Sequence, residues 1–138
     1  AERIDILERT LAVADAVFPD FDCDVCHSGL ADVCLALFRL YSEAEQDDTA
    51  LDSLERAFRH DRAIDEIDNE EIIHTSPLLR GNRYDMRKVW DGCKCNGVWF
   101  RLERLSKPPF RFERYEDNPR YQAILEKYRP FAVEDKTK

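Results

Sequence analysis

The chain has 138 residues, 43% apolar and 36% charged, with 4 Gly and 6 Pro, a balance that excludes a collagen, a low-complexity tail and a membrane-embedded chain and fits one folded domain. Its 21 basic and 29 acidic side chains leave a net charge of −8, and no apolar run approaches the roughly 20 residues that span a bilayer. A chain of this size buries roughly two-thirds of its unfolded surface, so a metal or disulfide would be an addition to the core rather than a condition for it. The opening Ala1-Glu2-Arg3-Ile4 lacks the basic-then-apolar order of a signal peptide, and a cytoplasmic protein is expected.

In chain order, Leu7, Leu11, Ala14 and Phe18 follow Ile4 at the three-and-four spacing of one helical face, and Pro19 ends the pattern. Ser28 is placed to cap a second helix. Its Leu30, Val33, Cys34, Leu35, Leu37, Phe38, Leu40 and Tyr41 cover most of the circumference, which predicts a core helix. After the acidic break Glu43–Asp48, Thr49 caps a third helix with Leu51, Leu54, Phe58, Ile64 and Ile67 inward and Glu55, Asp61, Asp65 and Glu66 among its outer residues.

Beyond this the period changes. Tyr84–Trp90, Val98–Leu105 and Phe110–Tyr115 are short aromatic and branched runs punctuated by Asp91-Gly92, Asn96-Gly97 and Pro108-Pro109, and they read as a three-stranded antiparallel meander. On its second strand Val98, Phe100 and Leu102 face the helices, with Trp99, Arg101 and Glu103 opposite. Asn118-Pro119 opens a closing helix carrying Tyr121, Ile124, Leu125 and Tyr128. The expected fold is α+β: a single domain over residues 1–131, with an acidic helical lobe over 1–67, a sheet plus closing helix over 83–129, and a frayed tail over 132–138. The segment 68–82 is ambiguous, because Ile72 and Ile73 favour burial while Pro77, Gly81 and Asn82 favour a loop.

Charge is divided between the halves. Ala1–Thr75 holds 20 acidic and 6 basic residues, and Ser76–Lys138 holds 9 acidic and 15 basic. Either the basic half folds back on the acidic half, or the acidic lobe stays open as a docking surface for a basic protein through Glu43, Glu45, Asp47, Asp48, Asp52, Glu55, Asp65 and Glu66. The second option is similar in charge and size to bacterial immunity proteins and nuclease inhibitors, a likeness of class that no motif carries. A competing reading makes the sheet the working surface, with Arg101, Arg104, Arg111 and Arg114 beside Trp99 holding nucleic acid by phosphate contact and base stacking.

Five cysteines remain. Cys34 sits inside the apolar helix and reads as a core residue. Cys23 and Cys26, with Cys93 and Cys95, form two close pairs of the kind that hold a tetrahedral, structural Zn²⁺, and His27 can replace one ligand. The one-residue spacing of the second pair departs from the usual pattern. Cys23 and Cys26 alone could instead form a dithiol redox centre, although Asp20, Asp22 and Asp24 oppose thiolate formation. The string Cys23-Asp-Val-Cys-His27 also matches a c-type haem attachment, which would need an export signal and an axial ligand such as Met86. His60 beside Asp61 and His74 beside Thr75 lack a neighbouring nucleophile, so no catalytic residue is assigned and a non-enzymatic binding protein is expected.

Overall fold

The first half folds as its apolar spacing dictates. In the computed structural model, which describes residues 1–67, 71–73, 75, 79–85 and 96–133, helix α1 spans Glu2–Val17, α2 spans His27–Glu43 and α3 spans Asp47–Asp65. Leu11, Ala14 and Phe18 seat α1 on the core, with Ile4 and Leu7 packed against its edge. Helix α2 is central: Leu30, Ala31, Cys34, Leu35, Leu37, Phe38, Tyr41 and Ser42 are all buried, and its most extensive packing partner is α3. The caps differ from expectation by two or three residues. Helix α2 starts after Cys26 rather than Ser28, and α3 after Gln46 rather than Thr49.

Only Ala44-Glu45-Gln46 joins α2 to α3, and so short a link makes the two helices antiparallel neighbours. The Glu45 N–H donates to the Ser42 carbonyl and the Gln46 N–H to the Tyr41 carbonyl, at 3.1 and 2.9 Å. That pairing is a Schellman stop, whose left-handed position normally holds glycine. Here it holds Glu45 at φ 59°. Glu45→Gly is therefore expected to raise the unfolding free energy by about 0.5–1 kcal/mol in urea unfolding, because relief of the Cβ clash exceeds the added chain entropy.

The second half corrects the α+β expectation. Among the described residues the protein is mainly helical, and the second and third strands of the expected meander are not strands. Val98–Leu105 lies within helix α4, Gly97–Leu105, and Phe110–Tyr115 is an irregular stretch ending in a 3₁₀ turn over Glu113–Tyr115. Of the proposed first strand, Tyr84 and Asp85 belong to β2, Arg83–Asp85, which pairs with β1, Glu71–Ile73, as a two-stranded antiparallel hairpin with Ile72 opposite Tyr84. Residues 86–90 and the Asp91-Gly92 turn lie outside the described residues. The closing helix is present as α5, Pro119–Tyr128, and the Asn118 side chain accepts from the Tyr121 N–H at 3.0 Å as the cap.

Two tertiary contacts explain why residues 97–105 coil instead of extending. The Asp65 carboxylate, at the end of α3, accepts from the N–H groups of Gly97 and Val98 at 2.6 and 3.1 Å and so caps α4 from outside. A Cβ on Gly97 would lie 3.2 Å from the Asp61 carbonyl oxygen and from Asp65, so glycine permits the close approach. The buried residues Val98, Arg101 and Leu105 then follow helical spacing. Asp65→Ala is expected to cost about 1–2 kcal/mol in the same unfolding assay, since two α4 donors lose their partner.

The charged halves close on one another. Arg101 and Arg104 reach Asp32 on α2, Arg101 also binds Asp61, Arg114 binds Asp47, Arg120 binds Asp48 and Asp52, and Lys127 binds Glu55. Aromatic stacking runs along the same seam, Phe58 on Tyr128 and Tyr115 on Tyr121. Exposed pairs of this kind contribute about 0–1 kcal/mol each. Arg101–Asp61 differs, because its side chains are 6% and 4% exposed.

Candidate metal centre

Where α1 ends, the chain reverses through Pro19 and Asp20, and Phe21 takes a left-handed conformation at φ 60°. That conformation is unfavourable for a bulky side chain and persists only where its surroundings impose it. It lays the Phe21 ring on His60, with centroids 4.4 Å apart and planes 29° apart, and against His27 at 5.0 Å. The Arg59 guanidinium lies 4.5 Å from the same ring. Cys23 follows, then a 3₁₀ turn over Asp24–Cys26, and His27 is the first residue of α2.

His60 arrives from α3, one turn beyond Ala57 and one turn before Ile64 on the buried face. The sulfur of Cys23 and ring nitrogens of His27 and His60 lie within 4.8 Å of one another, close enough to bind a metal ion. All three residues are buried, with relative exposures of 3, 5 and 0%. The two Nδ1 atoms are 2.8 Å apart, so one carries the proton that the other accepts. His60 Nε2 is buried with no hydrogen-bond partner. If His60 donates through Nδ1, this nitrogen offers a bare lone pair; if it accepts, an N–H is buried without an acceptor. Either arrangement leaves a polar atom unsatisfied at a cost of about 1–3 kcal/mol.

Burial decides the protonation of the group. It lowers the His60 pKa to about 3, aided by the nearby His27, and raises the Cys23 thiol to about 11, with Cys26 adding to the rise. A neutral imidazole is the form that ligates a metal, and a coordinated thiol gives up its proton to the ion's field. One sulfur and two imidazole nitrogens suit zinc and other late transition metals, whereas calcium and magnesium select oxygen. Tetrahedral nitrogen ligands at about 2.0–2.1 Å from zinc lie about 3.3 Å apart. With both Nδ1 atoms as ligands, their 2.8 Å separation is short of that span by about half an ångström and His60 Nε2 stays unsatisfied.

The four-cysteine arrangement is only partly represented. Cys23 is in the cluster and His27 joins it, while Cys26 is half-buried and stands outside it. Cys93 and Cys95 lie outside the described residues, as do His74 and Met86. Cys34 is fully buried in α2, as a core residue should be. His60, which the sequence places only beside Asp61 without a neighbouring nucleophile, is the member of the cluster not assigned from the sequence. Its signal was the apolar spacing it shares with Ala57 and Ile64.

The residues singled out for macromolecular binding occupy different settings. Glu43 pairs with Arg39, Glu66 with Arg62, and Asp47, Asp48, Asp52 and Glu55 with the basic half, while Asp65 caps α4. Glu45 forms the Schellman stop. Of the basic set, Arg101 is buried against Asp61, and Arg104 pairs with Asp32 and lies over Phe110. Arg111 pairs with Glu116, and Arg114 binds Asp47 and the Ser42 carbonyl. Trp99 is half-buried with its ring against Phe100. These residues lie on α4 and the chain after it, and among the described residues they belong to no sheet. No helix among the described residues is long and apolar enough to cross a membrane.

Compared with known families, characterised proteins and solved structures, the chain matches none.

Proposed function

We propose that this is a non-enzymatic zinc-binding protein in which Cys23, His27 and His60 hold a structural Zn²⁺ that ties the α1–α2 turn to α3. The observation that supports the reading is the meeting of one buried thiol and two buried imidazoles whose ligand atoms lie within 4.8 Å of one another. Bound zinc would supply a coordination link between two segments 33 residues apart along the chain. The chain's own residues do the rest: burial keeps His60 neutral, and the Phe21 ring covers the imidazoles and limits access of water. A tetrahedral structural zinc takes four protein ligands, so this role requires a fourth donor beside these three, whereas a fourth position left to water is the catalytic arrangement.

Docking of a basic protein on the acidic lobe has weaker support, because most of its carboxylates have intramolecular partners. Nucleic-acid binding loses its proposed scaffold with the meander. Dithiol catalysis is disfavoured by a Cys23 thiol held far above neutral pH.

Elemental analysis of protein purified under reducing, chelator-free conditions is expected to give one zinc per chain. Cobalt substitution should give the intense visible bands of a tetrahedral thiolate site. Both signals should be lost in Cys23→Ser and His60→Ala variants that retain their helical circular dichroism. Zinc that survives these changes and disappears in Cys93→Ser with Cys95→Ser would overturn the assignment.

A further inference from the structure

The metal reading leaves one thiol beside the site unused. Cys26 is half-buried, whereas Cys23 is closed off from solvent. The Cys26 N–H donates to the Cys23 carbonyl at 2.9 Å, which makes residues 23–26 a single tight turn. Such a turn holds its terminal Cα atoms within about 7 Å, overlapping the 4.4–6.8 Å range that a disulfide bridges. Cys23 immediately precedes the 3₁₀ turn over Asp24–Cys26, and the charge of Cys26 acts on the Cys23 thiol, so the two sulfurs are close enough to interact.

We infer that Cys26 is a peroxide-sensitive modification site that gates the metal centre by forming a disulfide with Cys23. This inference rests on the zinc reading. The Cys26 sulfur attacks a peroxide oxygen; an S–O bond forms, the O–O bond breaks, and a sulfenic acid and one water result. The Cys23 sulfur then attacks the sulfenic sulfur. The S–S bond forms, the S–O bond breaks, and the departing hydroxide takes a proton to give a second water. Two electrons pass from the two sulfurs to hydrogen peroxide, and in the metal-free chain both thiol protons end in water. With zinc bound, Cys23 is already a thiolate and gives up its bond to the metal, and the hydroxide takes its proton from solvent. Cys23 is thereby removed as a thiolate ligand, leaving two imidazoles. Reduction by a dithiol restores it.

The test treats zinc-loaded and metal-free full chain with hydrogen peroxide, reads released zinc with a chromophoric chelator, and maps disulfides by peptide mass spectrometry. A Cys23–Cys26 disulfide is expected in both samples, with zinc affinity reduced on the order of a hundredfold or more and recovered on reduction, since loss of a ligand exceeds the 10–100-fold effect of losing an outer-shell partner. Cys26→Ser should bind zinc like the wild type and keep it under peroxide; serine is a good residue for the N-terminal cap that Cys26 occupies. Failure of the reduced wild type to bind zinc would defeat the metal reading and the gate together. Zinc retained by the oxidised chain, a disulfide joining other cysteines, or unchanged zinc release from Cys26→Ser would defeat the gate alone.

Discussion

Replacing Arg101 by methionine is expected to cost about 3–5 kcal/mol of folding free energy, the largest effect of any single substitution considered. Arg101 places Nε 2.7 Å and Nη2 3.0 Å from the two Asp61 carboxylate oxygens, in a pair almost closed to water. Burial pushes the Asp61 pKa up to about 6 against the pull of the guanidinium, so the carboxylate depends on its partner. Removing the cation strands that charge, whereas the double change Arg101→Met with Asp61→Leu removes both charges and is expected to recover much of the loss. Urea unfolding of the two variants measures this. A loss below about 1 kcal/mol for the single change would mean that water reaches Asp61 and that the pair does not anchor α4.

The second large effect concerns the metal. A ligand that binds only the folded chain adds about 4 kcal/mol of stability at a free concentration a thousand times its dissociation constant. Zinc at that excess is therefore expected to raise the unfolding free energy of the wild type by that amount over chelator-treated protein, and to leave His60→Ala unmoved. Phe21→Ala should fall between them, because removing the ring opens the imidazoles to water without removing a ligand. An equal zinc response in wild type and His60→Ala would place the bound metal elsewhere on the chain.

The helical half was legible because its signal is local. Leu51, Leu54 and Phe58 repeat at helical spacing over a long segment, and all three are buried. The segment after Asn96 was not, since Val98, Phe100 and Leu102 alternate over a stretch too short to separate a period of 2 from one of 3.6. What decides it comes from α3: Asp65 supplies a cap and Asp61 a buried partner for Arg101, which the strand reading had turned outward. Phe110–Tyr115 was misread for a similar reason. Its alternation breaks at Arg114, and the run ends at Tyr115, whose hydroxyl lies within hydrogen-bond reach of Ser42 and Asp47, contacts far away in sequence.

The charge division was visible in the sequence, but composition does not distinguish a solvent-facing lobe from two halves that neutralise each other. The contacts of Arg114, Arg120 and Lys127 with α3 place it with the second. For the site, Cys23 and His27 carried a spacing signal and His60 did not. It lies 33 residues beyond His27 and is brought there by the antiparallel packing of α2 and α3.

The most direct measurement is X-ray absorption at the zinc edge of the reduced, zinc-loaded protein. A shell with thiolate sulfur at about 2.3 Å and imidazole nitrogen at about 2.0–2.1 Å, showing the outer-shell scattering of two rings, is the predicted result. A shell made of sulfur alone would contradict it.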